Sequence, residues 1–325
     1  MDHELNVTYI TLDGYVEVNK YRHVYFAVML AAYVLILCSN FTILCIIVSH
    51  TNLHEPMYVF IAALLINSVL YSTMIYPKLL TDVLSKKQVI SYQTCLFQWF
   101  LYYFLGGSEF FLLAAMAYDR YVSICKPLQY PTIMTKTAVG VFLLLAWLLP
   151  VCMAAVPIVL SANTKLCSLT FKGIICSSAV QKLHCVKSVL LRIYGLVALG
   201  ANMLFPVLFI AFTYARIFII SYRSCREVWT KAAQTCLPHL LVLIYFSCLV
   251  TFDVLIVRLD ANFPKSVRLI MALQTVVCHP LFNPVIYGLK MKEINKHLKS
   301  LLRKMSLALS CCDLVFFFFA AVLKS

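Results

Sequence analysis

Stretches of about 20 apolar residues recur along this chain, and they constrain its fold more than any other feature. A helix of that length crosses the hydrocarbon core of a bilayer and satisfies its own backbone hydrogen bonds. Seven such spans are present: Val24 to Val48, Met57 to Tyr76, Leu96 to Ala117, Ala138 to Leu160, Val189 to Ile220, Leu237 to Val257 and Leu269 to Leu289. The sequence therefore predicts an all-α membrane protein with a seven-transmembrane helix bundle.

The charged residues do not alter that prediction. Only 12% of the 325 residues are charged, 62% are hydrophobic, and no long hydrophilic segment separates the spans. The formal net charge of +14 would suit nucleic acid, but the bases are scattered between spans without an aromatic binding surface. Phospholipid headgroups are the expected counter-charge, so we predict membrane lipids and no nucleic acid among the partners.

The third span ends in the stretch Met116 to Tyr130, MAYDRYVSICKPLQY, where Asp119 and Arg120 stand side by side. An arginine at that depth is costly in hydrocarbon unless a partner neutralises it, and Asp119 is the nearest acid. Glu109 lies about three helical turns earlier on nearly the same face. Because a face with two ionisable groups cannot contact lipid, we expect this helix to lie at the centre of the bundle.

The same stretch resembles the signature at the inner end of the third helix of odorant receptors, a branch of the rhodopsin-like G-protein-coupled receptors. Ser123 replaces the usual alanine. The turn LHEPMY and the segment entering the sixth helix are also similar, with Pro238 where a small residue is commoner. Asn283-Pro284-Val285-Ile286-Tyr287 is similar to the NPxxY element, in which Pro284 frees a carbonyl that Asn283 can bond. The resemblance covers residues 23–304, and the LHEPMY turn with the second span is similar to fish odorant receptors.

This resemblance implies a receptor and not an enzyme. A small odorant would bind within the bundle and activate a heterotrimeric stimulatory, olfactory-type G protein that raises cyclic AMP. The receptor would lie in the plasma membrane of the cilia of olfactory sensory neurons. The implied switch residues are Asp119, Arg120, Tyr121, Asn283, Pro284 and Tyr287. The short basic loop before the sixth span is either a G-protein surface or simply a solvated loop.

The candidate ligand contacts combine small, aromatic and polar residues in the outer halves of the spans. Glycines leave volume and tyrosines offer aromatic walls with a polar tip, although such positions also form ordinary core. An inward-pointing Arg258 would favour an anionic ligand such as a carboxylate. The candidates are Tyr102, Tyr103, Gly106, Gly107, Asn202, Phe246, Asp253, Arg258 and Gln274.

Glu109 is the candidate centre of a sodium or proton site. Rhodopsin-like receptors commonly hold an acid in the second helix, but Ser68 occupies that place here. Odorant receptors carry an acid in the third helix instead, and the resemblance implies that Glu109 is this acid. Ser68 and Asn40 would complete the site, with Asn283 as a neighbour. Taken by itself, Asn40 at mid-membrane favours an interhelical hydrogen bond over a ligand contact. The alternative is a neutral, hydrogen-bonded glutamate that only packs. Apart from this candidate sodium ion, no cofactor is expected.

Four cysteines lie in segments on the N-terminal side of the membrane and predict two disulfides, for which three pairings exist. The resemblance implies Cys95 with Cys176 and Cys167 with Cys185. A metal site built from His184 and Cys185 is the alternative.

The remaining segments define the predicted domain organisation. Residues 1–22 form an extracellular N-terminus with a glycosylation acceptor at Asn6, residues 23–289 the bundle, residues 290–304 a short amphipathic eighth helix, and residues 305–325 a cytoplasmic tail. A second acceptor sequence at Asn40 lies inside a span, where modification is not expected. Cys311 and Cys312 are either palmitoylated or free thiols.

Two other functions use the same spans. A non-olfactory rhodopsin-like receptor would differ in its tissue and ligand. A transporter would show internal repeats and broken helices in corresponding positions, and the sequence has neither an evident repeat nor paired glycine breaks.

Overall fold

The computed structural model describes residues 8–222, 236–237, 239–252, 264–301 and 303. Six helices are long and apolar enough to cross a membrane, and a shorter apolar helix lies between the fifth and the last of them. The helices are α1 (Val18–Ser49), α2 (Pro56–Leu84), α3 (Tyr92–Cys125), α4 (Lys136–Ala162), α5 (Val189–Tyr222), α6 (His239–Phe252), α7 (Lys265–Lys290) and α8 (292–301). The predicted seven-helix membrane bundle with a short eighth helix is confirmed.

Local sequence signals determine where several helices begin. Pro56 occupies the first turn of α2, where its missing N–H removes no helical hydrogen bond. Side-chain oxygens of Ser91, Thr135 and Ser188 each accept a hydrogen bond of 3.2 Å from a backbone N–H in the first turns of α3, α4 and α5.

A π-helical segment, Gly200–Leu204, interrupts α5 and ends two residues before Pro206. Proline cannot donate to the carbonyl four residues earlier and its ring clashes there, so the backbone widens over one turn. Within this segment, the side chain of Asn202 donates a hydrogen bond to the Ala198 carbonyl at 3.0 Å. This irregular turn lies beside the middle of α3, which it contacts.

The third helix occupies the centre, as its polar face predicted. It packs against α2, α4 and α5, while α1 packs against α2 and α7. The largest apolar cluster fills the half of the bundle that contains Arg120, and Phe60, Leu113 and Met116 are among its fully buried members.

A small sheet covers the end of the bundle that carries the N-terminus. Strand β1 (Tyr9–Leu12) pairs antiparallel with β2 (Val89–Ser91) and parallel with β3 (Thr170–Phe171). Ile10 and Leu12 of β1 lie in an apolar cluster with Trp99 of α3. We call this sheet, its cluster and the loop between α4 and α5 the outer cap.

The structure changes two predicted boundaries. The N-terminal segment contains a strand, and α1 begins at Val18, before the predicted residue 23. Helix α7 continues through Lys290, so α8 begins at residue 292 instead of 290. Several sites lie outside the described residues: Asn6, the basic loop before α6, Pro238, Asp253, Arg258, Cys311 and Cys312.

Candidate functional site

Glu109 lies at the middle of α3 with no solvent exposure and joins three helices. Asn67 of α2 donates to Glu109 Oε2 at 3.2 Å, and Asn283 of α7 donates to Oε1 at 2.9 Å. Asn283 Nδ2 is also 2.8 Å from Ser68 Oγ. Two predicted partners, Ser68 and Asn283, are therefore beside Glu109, and Asn67 is an addition. We call this group the polar network.

His279 of α7 is the member that sequence reasoning missed. Its Nε2 lies 3.2 Å from Glu109 Oε2 but outside hydrogen-bonding geometry, so the two side chains are in contact without a hydrogen bond. Its ring stacks on Phe246 at 4.4 Å between centroids and meets Tyr71 edge-on at 5.0 Å. The available signal was its position one helical turn before Asn283, which places both side chains on one face of α7.

Asn40 is an interhelical hydrogen bonder between α1 and α7, the role that its sequence position favoured, and it bonds a backbone carbonyl instead of Glu109. Its Nδ2 donates to the Ile36 carbonyl at 2.8 Å and to the Pro280 carbonyl at 3.0 Å. Pro284 has no N–H to bond the Pro280 carbonyl within α7. Asn40 of α1 satisfies the carbonyl that we expected Asn283 to bond, because the amide of Asn283 is engaged by Glu109 and Ser68 instead.

The polar network offers oxygen ligands. The side-chain oxygens of Asn67 and Asn283 are buried and accept no hydrogen bond within the described part of the chain. Carboxylate and amide oxygens are the ligand type that hard cations prefer, although in the structure both amides turn Nδ2 and not Oδ1 toward Glu109. The residue types present therefore fit a bound sodium ion.

Asp119 and Arg120 form an ion pair at the far end of α3. Arg120 Nε donates to Asp119 Oδ2 at 2.9 Å, and its Nη2 contacts the same oxygen. Tyr130, the first residue of a short helix between α3 and α4 (Tyr130–Ile133), donates to Asp119 Oδ1 at 2.8 Å. Burial and the neighbouring Asp119 carboxylate raise the pKa of Tyr130, so it remains a protonated donor. Tyr121 is half-buried and packs against the apolar core.

Tyr287 links α7 to α6 at the same end of the bundle. It is fully buried, and its hydroxyl lies 3.3 Å from His239 Nδ1. His239 Nε2 is buried without a hydrogen bond in the described part of the chain. A movement of this end of α6 would therefore break the hydrogen bond between His239 and Tyr287.

Some predicted ligand residues come together near the polar network. Tyr71 lies between His279 and Tyr102, with 5.8 Å between the two tyrosine rings. Phe246 reaches the group through His279. A Cβ added at Gly106 would meet nothing within 4 Å, so this glycine borders open space.

Other predicted ligand residues serve packing or the outer cap. A Cβ at Gly107 would lie 3.0 Å from Pro150 Cβ and 3.2 Å from Asn202 Oδ1, so the missing side chain allows α4 and α5 to approach α3. The Tyr103 hydroxyl is 2.8 Å from Ser178 Oγ in the loop after α4. Gln274 is half-buried on α7.

Both disulfides implied by the resemblance are present in the outer cap. Cys95 is bonded to Cys176, and Cys167 to Cys185. Cys185 therefore has no free thiol for a metal, and His184 instead contacts the Tyr92 hydroxyl at 3.0 Å. Burial lowers the pKa of His184.

The chain is similar to olfactory receptors over most of its length. The family model described as "Olfactory receptor" matches residues 29–305. Olfactory receptor 1500 of Rattus norvegicus is 33% identical over 291 residues, covering 86% of this chain and 90% of the relative. Olfactory receptor 10A5 of Homo sapiens is 34% identical over 298 residues, covering 88% and 90%. Olfactory receptor 6C70 of Homo sapiens is 29% identical over 309 residues, covering 93% and 97%.

Proposed function

Because this chain belongs to the olfactory receptor family, we propose that it binds an odorant inside the bundle and activates a stimulatory G protein that raises cyclic AMP. Family membership makes the chain a multi-pass membrane receptor for small molecules that couples to a G protein, and not an enzyme. The type of G protein, the second messenger and the cell are the proposed part. We further propose the cilia of olfactory sensory neurons as its location.

The polar network is the observation that supports this mechanism best. It joins α2, α3 and α7 between the open space at Gly106 and the end of α3 that carries Arg120. A ligand that displaces Tyr102 or Phe246 would shift His279, whose ring packs on Phe246. That shift would change the contacts of Glu109 and Asn283 and, through α7, the contact between Tyr287 and His239.

Release of α6 would then expose the surface that the G protein uses. Arg120 is held by Asp119, which also accepts a hydrogen bond from Tyr130, and Tyr287 is held by His239. We propose that the bound odorant favours the arrangement in which both contacts open and the inner end of α6 moves away from Arg120. The basic loop before α6, which lies outside the described residues, would contribute to the same surface.

We also propose sodium or a proton as a ligand of the polar network. Glu109, Asn67 and Asn283 would hold the ion, while Ser68 orients Asn283 through their 2.8 Å hydrogen bond. Bound sodium would supply positive charge to a buried carboxylate and favour the closed arrangement. Asn40 would act indirectly, by holding α1 to the Pro280 carbonyl.

The proposed orientation places the N-terminus and the outer cap outside the cell. It is supported by the two disulfides, which form in oxidising compartments. The acceptor sequence at Asn6, outside the described residues, would then be glycosylated.

Cyclic AMP measurements test the function. Cells that express the chain with an olfactory-type G protein are screened against acidic, basic and neutral small molecules. The wild type should respond to a subset, and Arg120→Ala should lose that response at matched surface expression. Lys136→Ala, which removes an exposed base at the start of α4, is the control and should respond normally. An unchanged response in Arg120→Ala would contradict the proposed coupling.

The same screen tests the proposed role of Arg258. If it faces the pocket, a responding carboxylate should lose its effect in Arg258→Ala while neutral ligands keep theirs. An identical carboxylate dose response in the variant would exclude that role.

A further inference from the structure

A groove of about 620 Å³ runs between α1 and α8, outside the network that carries the signal. Its walls are apolar along most of their length and include Phe41 and Ile46 of α1 and Leu301 of α8. Phe41 is 47% exposed, so the groove opens toward the lipid side of the bundle. A cleft of this composition suits a hydrocarbon chain.

Two histidines close one end of the groove. The rings of His50, after α1, and His297, on α8, lie 3.8 Å apart. His50 Nδ1 is 2.9 Å from the Ile46 carbonyl, so it donates there and leaves Nε2 as its other polar atom. His297 Nε2 is buried and has no hydrogen-bond partner among the described residues. The end of the groove therefore holds polar nitrogen atoms that an acidic oxygen would satisfy.

The groove lies beside a positively charged face of α8. At about 100° per residue, the exposed bases of α8 fall on the side opposite Ile294 and Leu298, and Ser300 lies between the groove and those bases. Only Glu293 opposes them within this helix. The bases are Lys292, Lys296, Lys299 and Arg303. The groove thus follows the border between an apolar and a basic face, where the headgroup of a lipid meets its acyl chain.

We propose that this groove is a binding site for an anionic glycerophospholipid. One acyl chain lies along Phe41 and Ile46, the phosphate is bound by His50 and His297, and the acidic headgroup lies against the basic face of α8. Assigning the lipid to the inner leaflet rests on the orientation given under the proposed function. Binding itself requires neither that orientation nor an odorant. The lipid would hold α8 against α1 and so fix the end of α7 that carries Tyr287.

Fluorescence quenching in lipid nanodiscs tests the site on the full chain. Phe41→Trp puts a reporter in the groove. Leu144→Trp puts a control reporter on α4, at a residue that is 62% exposed. Each is measured in symmetric bilayers that contain brominated phosphatidylserine or brominated phosphatidylcholine at equal mole fraction. Brominated phosphatidylserine should quench the groove reporter about fivefold more effectively than brominated phosphatidylcholine, because the attraction between one base and an anionic headgroup corresponds to a preference of about that size. The α4 reporter should show no preference.

Two further variants in the Phe41→Trp background separate the parts of the site. Lys296→Gln with Lys299→Gln should remove most of the preference for phosphatidylserine, and His297→Phe should weaken it while keeping the ring contact with His50. Equal quenching of the groove reporter by both lipids would overturn the proposal, as would a preference that survives both changes.

Native mass spectrometry of the unmodified chain provides a second measurement if a tryptophan variant fails to fold. Phosphatidylserine should remain bound at a detergent concentration that removes phosphatidylcholine, and loss of both lipids together would also overturn the proposal. Neither experiment uses an odorant or a G protein. A receptor that binds the lipid but does not raise cyclic AMP would refute the proposed function and leave this site intact.

Discussion

The outer cap and the polar network are built in opposite ways. The cap is held by two disulfides, a three-stranded sheet and an apolar cluster around Trp99. The polar network is held by single hydrogen bonds of 2.8 to 3.2 Å between fully buried side chains. Several of its polar atoms have no hydrogen-bond partner within the described residues.

This difference separates a rigid region from one that can rearrange. Disulfides and close packing have one favourable arrangement, and any displacement costs covalent or packing energy. Amide and carboxylate groups can exchange partners at smaller cost when unused acceptors are nearby, as they are at Asn67 and Asn283. We infer that the cap sets the shape of the ligand entrance while the polar network changes state.

Breaking the cap disulfide between Cys95 and Cys176 should have the largest effect. Cys95→Ser removes the bond that ties α3 to the loop after α4, and loss of a native disulfide typically costs about 2–5 kcal/mol. Thermal unfolding of the purified receptor and its surface expression should both fall sharply. Cys38→Ser, at an exposed cysteine of α1, is the matched control. Normal expression and an unchanged midpoint in Cys95→Ser would show that the cap does not depend on this bond.

Removing one amide from the polar network should have a smaller but distinct effect. Asn283→Ala deletes the donor to Glu109 and Ser68, and leaving a buried acceptor without its partner costs about 1–3 kcal/mol. Basal cyclic AMP should also change, because the network couples α2, α3 and α7. Asn52→Ala, at an exposed asparagine before α2, is the control. Lower stability with normal basal and ligand-induced signalling would make Asn283 a packing residue only.

Sequence patterns predicted the bundle well because membrane helices obey strong one-dimensional rules. Length and apolarity alone define spans, and the acid and base on one face of α3 indicated its central position. The strand at Tyr9–Leu12 was not predicted, since its partners lie in two loops far along the chain. Such a pairing depends on tertiary contacts that no local pattern contains.

The site was predicted less completely, because the choice among hydrogen-bond partners is a three-dimensional one. The structure brings Ser68 and Asn283 to Glu109 as expected, whereas Asn40 bonds the Pro280 carbonyl that Asn283 was expected to bond. Both can bond a carbonyl freed by proline, and only the relative placement of α1 and α7 decides which one does. His279 was missed for the same reason.

The adjacent glycines Gly106 and Gly107 allow a direct comparison between a position that borders open space and one that is tightly packed. Gly107→Ala places a methyl group 3.0 Å from Pro150, and such overpacking typically costs about 1–3 kcal/mol. Gly106→Ala meets no atom and should be neutral or stabilising by roughly 0.5–1 kcal/mol, because alanine favours helix. Thermal unfolding of the two variants measures both effects. If Gly106 borders the ligand, its variant should also shift the dose response while Gly107→Ala changes mainly stability. Equal midpoints would contradict the packing assigned to Gly107.

Acid should weaken the cap only slightly, through His184. Burial lowers the pKa of His184 below its ordinary value of 6.5, so the unfolded loop takes up a proton before the folded cap does. The contribution of His184 is therefore complete above pH 6.5 and declines as pH falls toward the lowered pKa. His184→Gln keeps a donor for the Tyr92 hydroxyl but does not titrate. Between pH 7.5 and pH 5 the wild type should lose roughly 2 °C more in unfolding midpoint than this variant. Parallel midpoints across that range would show that His184 does not make the cap sensitive to acid, and that its disulfides and apolar cluster determine its stability alone.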